Sequence, residues 1–265
     1  MKTLSYSGLS LFSECPERFR REKMSNLELD FQVTQNTVRG TIIHKFMEDI
    51  INIYIKSGNW LDQDIAIEHM ETIWNEGFDN DNGVNVLDTC PWSNDFLEKS
   101  IEDSKILVPQ MYEEIFPYLS NPIATEQHLE MNIDKNWKLH GYLDYMGEPA
   151  TIIDWKTKTS PMNERWLEQD LQATVYAALS AWEKVSVHFV QFIFLKTKGP
   201  RIVWSTTNRD RRHTDWLLND MIPQVIRSLD EKITPPTPGW WCGNCPLPCD
   251  ALPNVSVNVE SLTYV

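Results

Sequence analysis

The chain has 265 residues, a formal net charge of −14, 42% hydrophobic residues and 11% aromatic residues, including 11 Trp. That composition excludes a disordered chain and a general basic coat for nucleic acid, and no apolar run approaches the ~20 residues of a membrane span. The opening "MKTLSYSGLSLFSECPERFRREKM" has no sustained apolar stretch and soon becomes charged, so it does not read as a signal peptide. A cytoplasmic location is expected, where the five cysteines stay reduced.

In chain order, residues 7–24 are expected to be helical, with Ser7 as N-cap and Leu9, Leu11 and Phe12 as an apolar patch. A second helix is predicted over 36–57, where Ile42, Ile43, Phe46, Ile50, Ile53 and Tyr54 recur near the helical period around His44. Helical patterns follow at 62–78 and 92–118, joined by the polar "DNDNGVNVLDT". Between Asp62 and Asp103 there are twelve Asp and Glu against one Lys, hence −11, which leaves −3 for the rest of the chain. This segment reads as an acidic helical lobe, over 58–120, with a solvated outer face. Basic residues cluster elsewhere: Arg18, Arg20, Arg21 and Lys23; Lys196, Lys198 and Arg201; Arg209, Arg211 and Arg212. Salt screens distant charge, so a local basic groove is compatible with an acidic total; solvated helix faces and turns are the plain alternative.

The pattern then changes. Strands are predicted at 124–133, 137–147 and 150–157, a helix at 163–182, strands at 186–196 and 201–206, and a helix at 209–230. The chain closes on a segment rich in Pro and Cys, "TPPTPGWWCGNCPLPCD". No internal repeat is present. Helices followed by three strands, a helix, two strands and a helix suggest an α/β core behind a helical front.

Within "TIIDWKTKTS", Asp154 and Lys156 stand two positions apart and so share one face of a strand. A simple ion pair is the plain reading. Asp144, in "LHGYLDYMG", lies ten residues earlier, and two strands joined by a tight connection bring such residues side by side. Two hard oxygen donors suit Mg²⁺ or Mn²⁺, and a nearby ammonium can orient water or neutralise a phosphate.

"GYLDY" followed by "IIDWKT" resembles the second and third motifs of the PD-(D/E)XK nuclease superfamily. "RGTIIHKFMED" resembles the helix that supplies a His in RecB-like members, which implies His44 as a further metal ligand. "LEQDLQATVYAAL" resembles the helix beside the active site and implies roles for Gln172 and Tyr176. "TEQHLEMNI" resembles the lead-in strand, with Glu126 as a supporting acid, and "SYSGLSLFSECPERFR" the usual start of these domains. The resemblance spans nearly the whole chain and explains the acidic segment least. It implies a restriction-endonuclease-like α/β fold in one domain over 1–265: a central mixed sheet flanked by helices, with an N-terminal helical lobe. It also implies that Asp144, Asp154 and His44 hold Mg²⁺ or Mn²⁺, with the carbonyl of Trp155 as an extra ligand, while Lys156 positions water.

Three thiols, Cys242, Cys245 and Cys249, crowd the segment 239–250; a closed thiolate site needs a fourth, for which Cys15 and Cys90 are the candidates. Zinc and an iron–sulfur cluster both accept four thiolates. The resemblance narrows this to the iron–sulfur RecB-like subgroup, which includes the AddB nuclease and the CRISPR-adaptation nucleases. There, one N-terminal and three C-terminal cysteines hold a [4Fe–4S] cluster, which implies Cys15, Cys242, Cys245 and Cys249 as ligands and leaves Cys90 over. Structural Zn²⁺ is the alternative.

The expected function is a metal-dependent DNA nuclease, an exonuclease on single-stranded DNA or DNA ends. With no G-x-x-x-x-G-K-[ST] loop in the chain, any helicase or recombination partner is a separate protein. The rival is a non-catalytic DNA-binding or assembly module that keeps the nuclease fold. A glycosidase using the two acids would leave Lys156 and the cysteines unexplained.

Overall fold

The computed structural model describes residues 1–25, 33–119, 121–160, 164–180, 186–195, 199–247 and 249. Six strands form one mixed sheet: β1 (Lys2–Leu4), β2 (Pro122–Asn132), β3 (Trp137–Gly147), β4 (Thr151–Lys158), β5 (Val187–Leu195) and β6 (Arg201–Arg209). The helices are α1 (Tyr6–Glu14), α2 (Pro16–Phe19), α3 (Gln35–Ser57), α4 (Gln63–Glu76), α5 (Asn94–Glu114), α6 (Glu164–Leu167), α7 (Leu171–Leu179), α8 (Arg211–Trp216) and α9 (Ile222–Asp230). This is the α/β architecture expected from the sequence.

The sheet runs β1–β3–β4–β5–β6, and β2 pairs antiparallel along β3. Because β2 occupies one edge of β3 from Lys138 to Gly147, β1 and β4 share the other edge. β1 pairs near Trp137–Leu139 and β4 near Tyr145–Gly147. The parallel pair β4–β5 requires a crossover, which α6 and α7 provide.

Two cores sit on opposite faces of this sheet. On one face α3 presents Val38, Ile42, Phe46 and Ile50, and α4 and α5 add Met70, Trp74, Leu107 and Met111, against Tyr145, Ile153, Trp155 and Phe192. α3 starts where the Thr34 side chain accepts the Thr37 N–H at 3.2 Å and ends at Gly58, whose φ of 73° is the left-handed cap expected of glycine. On the other face α1, α7 and α9 pack Leu9, Val175, Leu179 and Val225 against Leu139, Leu143, Ile152 and Phe189. Gly141 permits this approach: a Cβ there would stand 3.0 Å from Leu179 Cδ1 and 3.3 Å from Tyr176 Cε1.

Several boundaries differ from expectation for local reasons. The helix predicted at 7–24 starts one residue earlier, at Tyr6, with Ser5 in place of Ser7 as N-cap accepting the Gly8 N–H at 3.2 Å, and breaks at Cys15, whose backbone is extended (φ −153°). Pro16 forces this, since the residue before proline is pushed out of the helical region. The helix predicted at 163–182 splits at Asp170, which caps α7; residues 163, 181 and 182 lie outside the described residues. β1 was not foreseen, because three residues are too few to show a period.

Several arginines of the basic clusters pair with neighbouring acids or are buried. Arg18 pairs with Glu22 at 2.5 Å, and Arg20 and Arg21 pair with Glu17 at 2.7 and 2.6 Å. Arg211 and Arg212 pair with Asp215 and Asp210, and Arg209 is buried. Lys196 and Lys198 lie outside the described residues. Among the described residues no helix is long and apolar enough to cross a membrane.

One buried ion pair, Arg39 Nη1 to Asp103 Oδ2 at 3.3 Å, ties α3 to α5. Removing one partner strands the other charge, so Asp103→Ala is expected to cost about 3–5 kcal/mol in denaturant unfolding. The double variant Arg39→Met/Asp103→Leu is expected to recover most of that loss.

Candidate active site

β3 and β4 pair at Tyr145–Ile153, Met146–Ile152 and Gly147–Thr151, and then part. Asp144 and Asp154 stand just beyond the last of these pairs. Parting leaves the β3-facing backbone groups of Trp155 without a strand partner. Side chains take their place: the Trp155 N–H donates to Asp144 Oδ2 at 2.8 Å, and its carbonyl accepts from His44 Nε2 at 2.9 Å. A carbonyl only accepts, so Nε2 carries the hydrogen.

His44 Nδ1 then faces acids, 3.5 Å from Glu126 Oε1 and 3.7 Å from Asp144 Oδ2. Glu126 falls between the pairs Thr125–Tyr145 and Gln127–Leu143, opposite Asp144. Its φ of +47° is the left-handed region, which an L-residue inside a strand enters only at a cost. Thr125 covers the gap by donating its hydroxyl to the Asp144 carbonyl at 2.7 Å. Glu126 Oε1 is buried with no hydrogen-bond partner. One ligand atom from each of His44, Glu126 and Asp144 lies within 4.8 Å of the others.

Asp154 is fully buried. Its Oδ1 accepts from Lys156 Nζ at 2.6 Å and Gln172 Nε2 at 2.8 Å, and its Oδ2 from Gln191 Nε2 at 3.1 Å. Gln172 also donates to the Tyr176 hydroxyl at 2.8 Å, one turn along α7. The start of α7 is fixed twice. Asp170 accepts the Ala173 N–H at 3.0 Å, and the Arg209 guanidinium donates to the carbonyls of Leu167, Glu168 and Asp170 at 2.9–3.1 Å and to Thr174 Oγ1 at 2.9 Å. A cleft of about 790 Å³ opens over the site, lined by His44, Glu126, Thr37, Lys45, Tyr142 and Thr157 among others. Gly40 also lines it, and a Cβ there would stand 2.9 Å from Thr157 Oγ1, so α3 closes on β4 only with glycine at this position.

The model of the PD-(D/E)XK nuclease superfamily matches residues 3–249. The chain belongs to that superfamily. A crystal structure from Eubacterium rectale, named "Putative exonuclease", superposes with a TM-score of 0.56 at 12% identity, covering 99% of this chain and 94% of that one, which supports the fold. A second solved structure, SSO0001, aligns over 92% of this chain and 82% of its own at 12% identity with a TM-score of 0.40. No curated protein matches the chain.

In this PD-(D/E)XK chain the seven side chains singled out from the sequence, Asp144, Asp154, Lys156, His44, Gln172, Tyr176 and Glu126, converge, and so does the Trp155 carbonyl. Gln191 was missed. It stands beside Asp154 in the β4–β5 register, and its sole signal is one amide inside the apolar run "VHFVQFIFL". Arg209, grouped in the sequence with Arg211 and Arg212, anchors the start of α7, a role that only the fold reveals.

The donor set fits a divalent cation. An orphaned carboxylate oxygen, a second carboxylate and an imidazole are borderline-to-hard ligands in one place. Burial, reinforced by the charge of Asp154, pushes Asp144 up to about 7. For His44, burial pulls the pKa down, but Glu126 and Asp144 outweigh it and raise it to about 9. For Lys156 burial likewise lowers the pKa, and Asp154 and Asp144 more than compensate, so it stays an ammonium. Burial raises Tyr176, which stays a neutral phenol.

The cysteines are all free thiols. Cys15 lies between α1 and α2, Cys242 lies within the 3-10 turn Trp240–Asn244, and Cys245 follows that turn. This C-terminal segment returns to α2: Thr234 Oγ1 donates to Glu17 Oε2 at 3.1 Å, and Cys245 lies within electrostatic reach of Arg18. Cys249 is exposed, and Cys90 is buried in the core under α3. Among the described residues no three thiols approach within 4.8 Å of one another. That is wider than the ~3.8 Å between sulfurs that Zn–S bonds of about 2.3 Å impose.

Without metal, the folded state binds protons at His44 and Asp144 more tightly than the unfolded chain does. The His44 contribution is complete below about 6.5 and is lost as pH rises through about 9. The Asp144 contribution has the same sign and is lost between about 3.8 and about 7. In EDTA, the melting temperature should therefore fall as pH rises from about 6.5 to about 9, and more steeply in wild type than in His44→Gln. Equal slopes would remove His44 from the cluster.

Proposed function

We propose that this chain is a divalent-metal-dependent DNA nuclease that hydrolyses phosphodiester bonds in single strands or at DNA ends. The observation that carries the reading is the meeting of His44, Glu126 and Asp144 beside the parted strands, with Asp154 next along β4 and the Lys156 ammonium 2.6 Å from it. His44, Asp144 and Asp154 would hold Mg²⁺ or Mn²⁺, with Glu126 as a supporting acid and the second lone pair of the Trp155 carbonyl available to the ion. Such an ion supplies Lewis acidity toward a phosphate oxygen and lowers the pKa of water. Lys156, held cationic by its two acids, donates hydrogen bonds: it orients the attacking water and offsets charge on the phosphate, and does not remove a proton. Gln172 and Gln191 fix Asp154 from two sides, so its carboxylate does not rotate. Tyr176 holds Gln172. The name of the Eubacterium rectale neighbour supports an exonuclease, and imidazole among the donors favours Mn²⁺ at least as well as Mg²⁺.

Linear and circular DNA, single- and double-stranded, incubated with Mg²⁺ or Mn²⁺ should show cleavage of linear single strands first. Asp154→Asn and Lys156→Ala are each expected to lower the rate by about 10²-fold or more in protein that circular dichroism shows to be folded. Wild-type rates in both variants would place the chemistry elsewhere. DNA binding with no cleavage of any form would favour a binding module.

For the cysteines we propose a [4Fe–4S] cluster held by Cys15, Cys242, Cys245 and Cys249, as in the iron–sulfur RecB-like subgroup. The return of the C-terminal segment to α2 supports it. Cys15 and Cys242 stand 227 positions apart, so a shared cluster would tie the two ends of the matched region together. Anaerobically purified protein should be brown and contain iron and sulfide. Cys15→Ala should bleach it and lower the melting temperature, and Cys90→Ala should not change the colour. Colourless protein with one zinc per chain would replace the cluster by zinc.

A further inference from the structure

The metal-site cleft continues onto a part of the sheet that no helix among the described residues covers. On that face Tyr142 of β3 stands opposite His128 of β2, and the two rings stack with centroids 4.5 Å apart and planes 21° apart. His140 meets His128 edge-on at 5.7 Å. Tyr142 is 55% exposed, although its neighbours on β3 at 141 and 143 are buried. It lines the same cleft as His44 and Glu126, and lies two residues from Asp144, about 7 Å along the strand.

We infer that Tyr142, backed by His128, is a stacking platform for an unpaired base of the DNA strand being cut, and that it selects single-stranded over duplex substrate. The inference rests on the nuclease reading and names the substrate class of that site. Two observations support an unpaired base as the occupant. First, an exposed ring already stacked on one side offers its other face to one more flat ring. A base inside a duplex has both faces covered, whereas an unpaired base is free to stack. Second, the cleft is poor in free cations. Lys45 is held by Asp49 at 2.8 Å and Glu48 at 3.3 Å, and Glu48 and Asp81 also line the cleft. A duplex, with one charge per ~1.7 Å of axis, has the more unfavourable field to overcome. Stacking therefore supplies the affinity that basic side chains supply elsewhere, and the metal ion then meets the phosphate next to the stacked base.

Fluorescence anisotropy in EDTA separates this from catalysis, with a labelled short oligothymidylate and a hairpin duplex of equal length as probes. Wild type should bind the oligothymidylate more tightly than the hairpin. The affinity should fall gently with salt, with a log–log slope no steeper than about −1.5, the mark of one or two neutralised phosphates. Tyr142→Ala should weaken oligothymidylate binding about 5-fold or more, and Tyr142→Phe, which keeps the ring, should restore it. Both variants change an exposed side chain, and an unchanged melting temperature confirms the fold. Equal affinity of Tyr142→Ala and wild type, a Phe variant as weak as the Ala variant, or no binding of the oligothymidylate by wild type would each overturn the platform. Ring-dependent binding in a protein that cleaves nothing would sink the nuclease reading and leave the platform standing.

Discussion

The parting of β3 from β4 at Trp155 is the constraint on which the site depends. A buried backbone N–H and carbonyl without partners are costly, so something must replace the lost strand contacts. Here the replacements are Asp144 and His44, which therefore serve first as sheet partners. Their positions are set by backbone hydrogen bonding, not by long flexible side chains alone. Once they are fixed, Nδ1 of His44 and the remaining carboxylate oxygens point into one space, and Glu126 reaches it through its unusual backbone conformation. Geometry that a metal site requires thus follows from the sheet's need to satisfy two polar groups.

The same arrangement is unfavourable for the protein on its own. Three acids approach one another, two of them buried, and His44 and Lys156 offset them. Stability comes from elsewhere, from the two apolar cores on either face of the sheet. Their packing holds β4 and β5 in register and keeps Asp154 from withdrawing. Acids held this close by the fold form a site whose geometry is set before any ligand arrives.

Much of this was legible in the sequence where a short-range rule applied. Strand alternation puts Asp154 beside Lys156, and helical spacing puts Gln172 one turn from Tyr176. A tight connection brings Asp144 to Asp154. What escaped depends on contacts with no local signature. Gln191 looks like a blemish in an apolar strand until β4 lies beside it. Arg209 looks like surface charge next to Arg211 and Arg212, yet it is buried and caps a loop some forty residues upstream. Arg18, Arg20 and Arg21 look in the sequence like open positive charge, but each pairs with Glu17 or Glu22, one helical turn away, which lowers the charge of the cluster. The break at Cys15 was readable from Pro16, and the strength of the apolar pattern around it hid the break.

His44 and Trp155 are 111 positions apart, and Arg209 holds carbonyls 39 to 42 positions before it. Contacts of such separation form late, because the entropy of closing the intervening loops comes first. A chain emerging from the ribosome as far as Lys156 already carries every carboxylate of the site. It still lacks β5, which pairs with β4 from Thr151 to Lys158, and it lacks the arginine that anchors the start of α7. The carboxylates of the site are thus held in place only once the chain through Arg209 has folded around them.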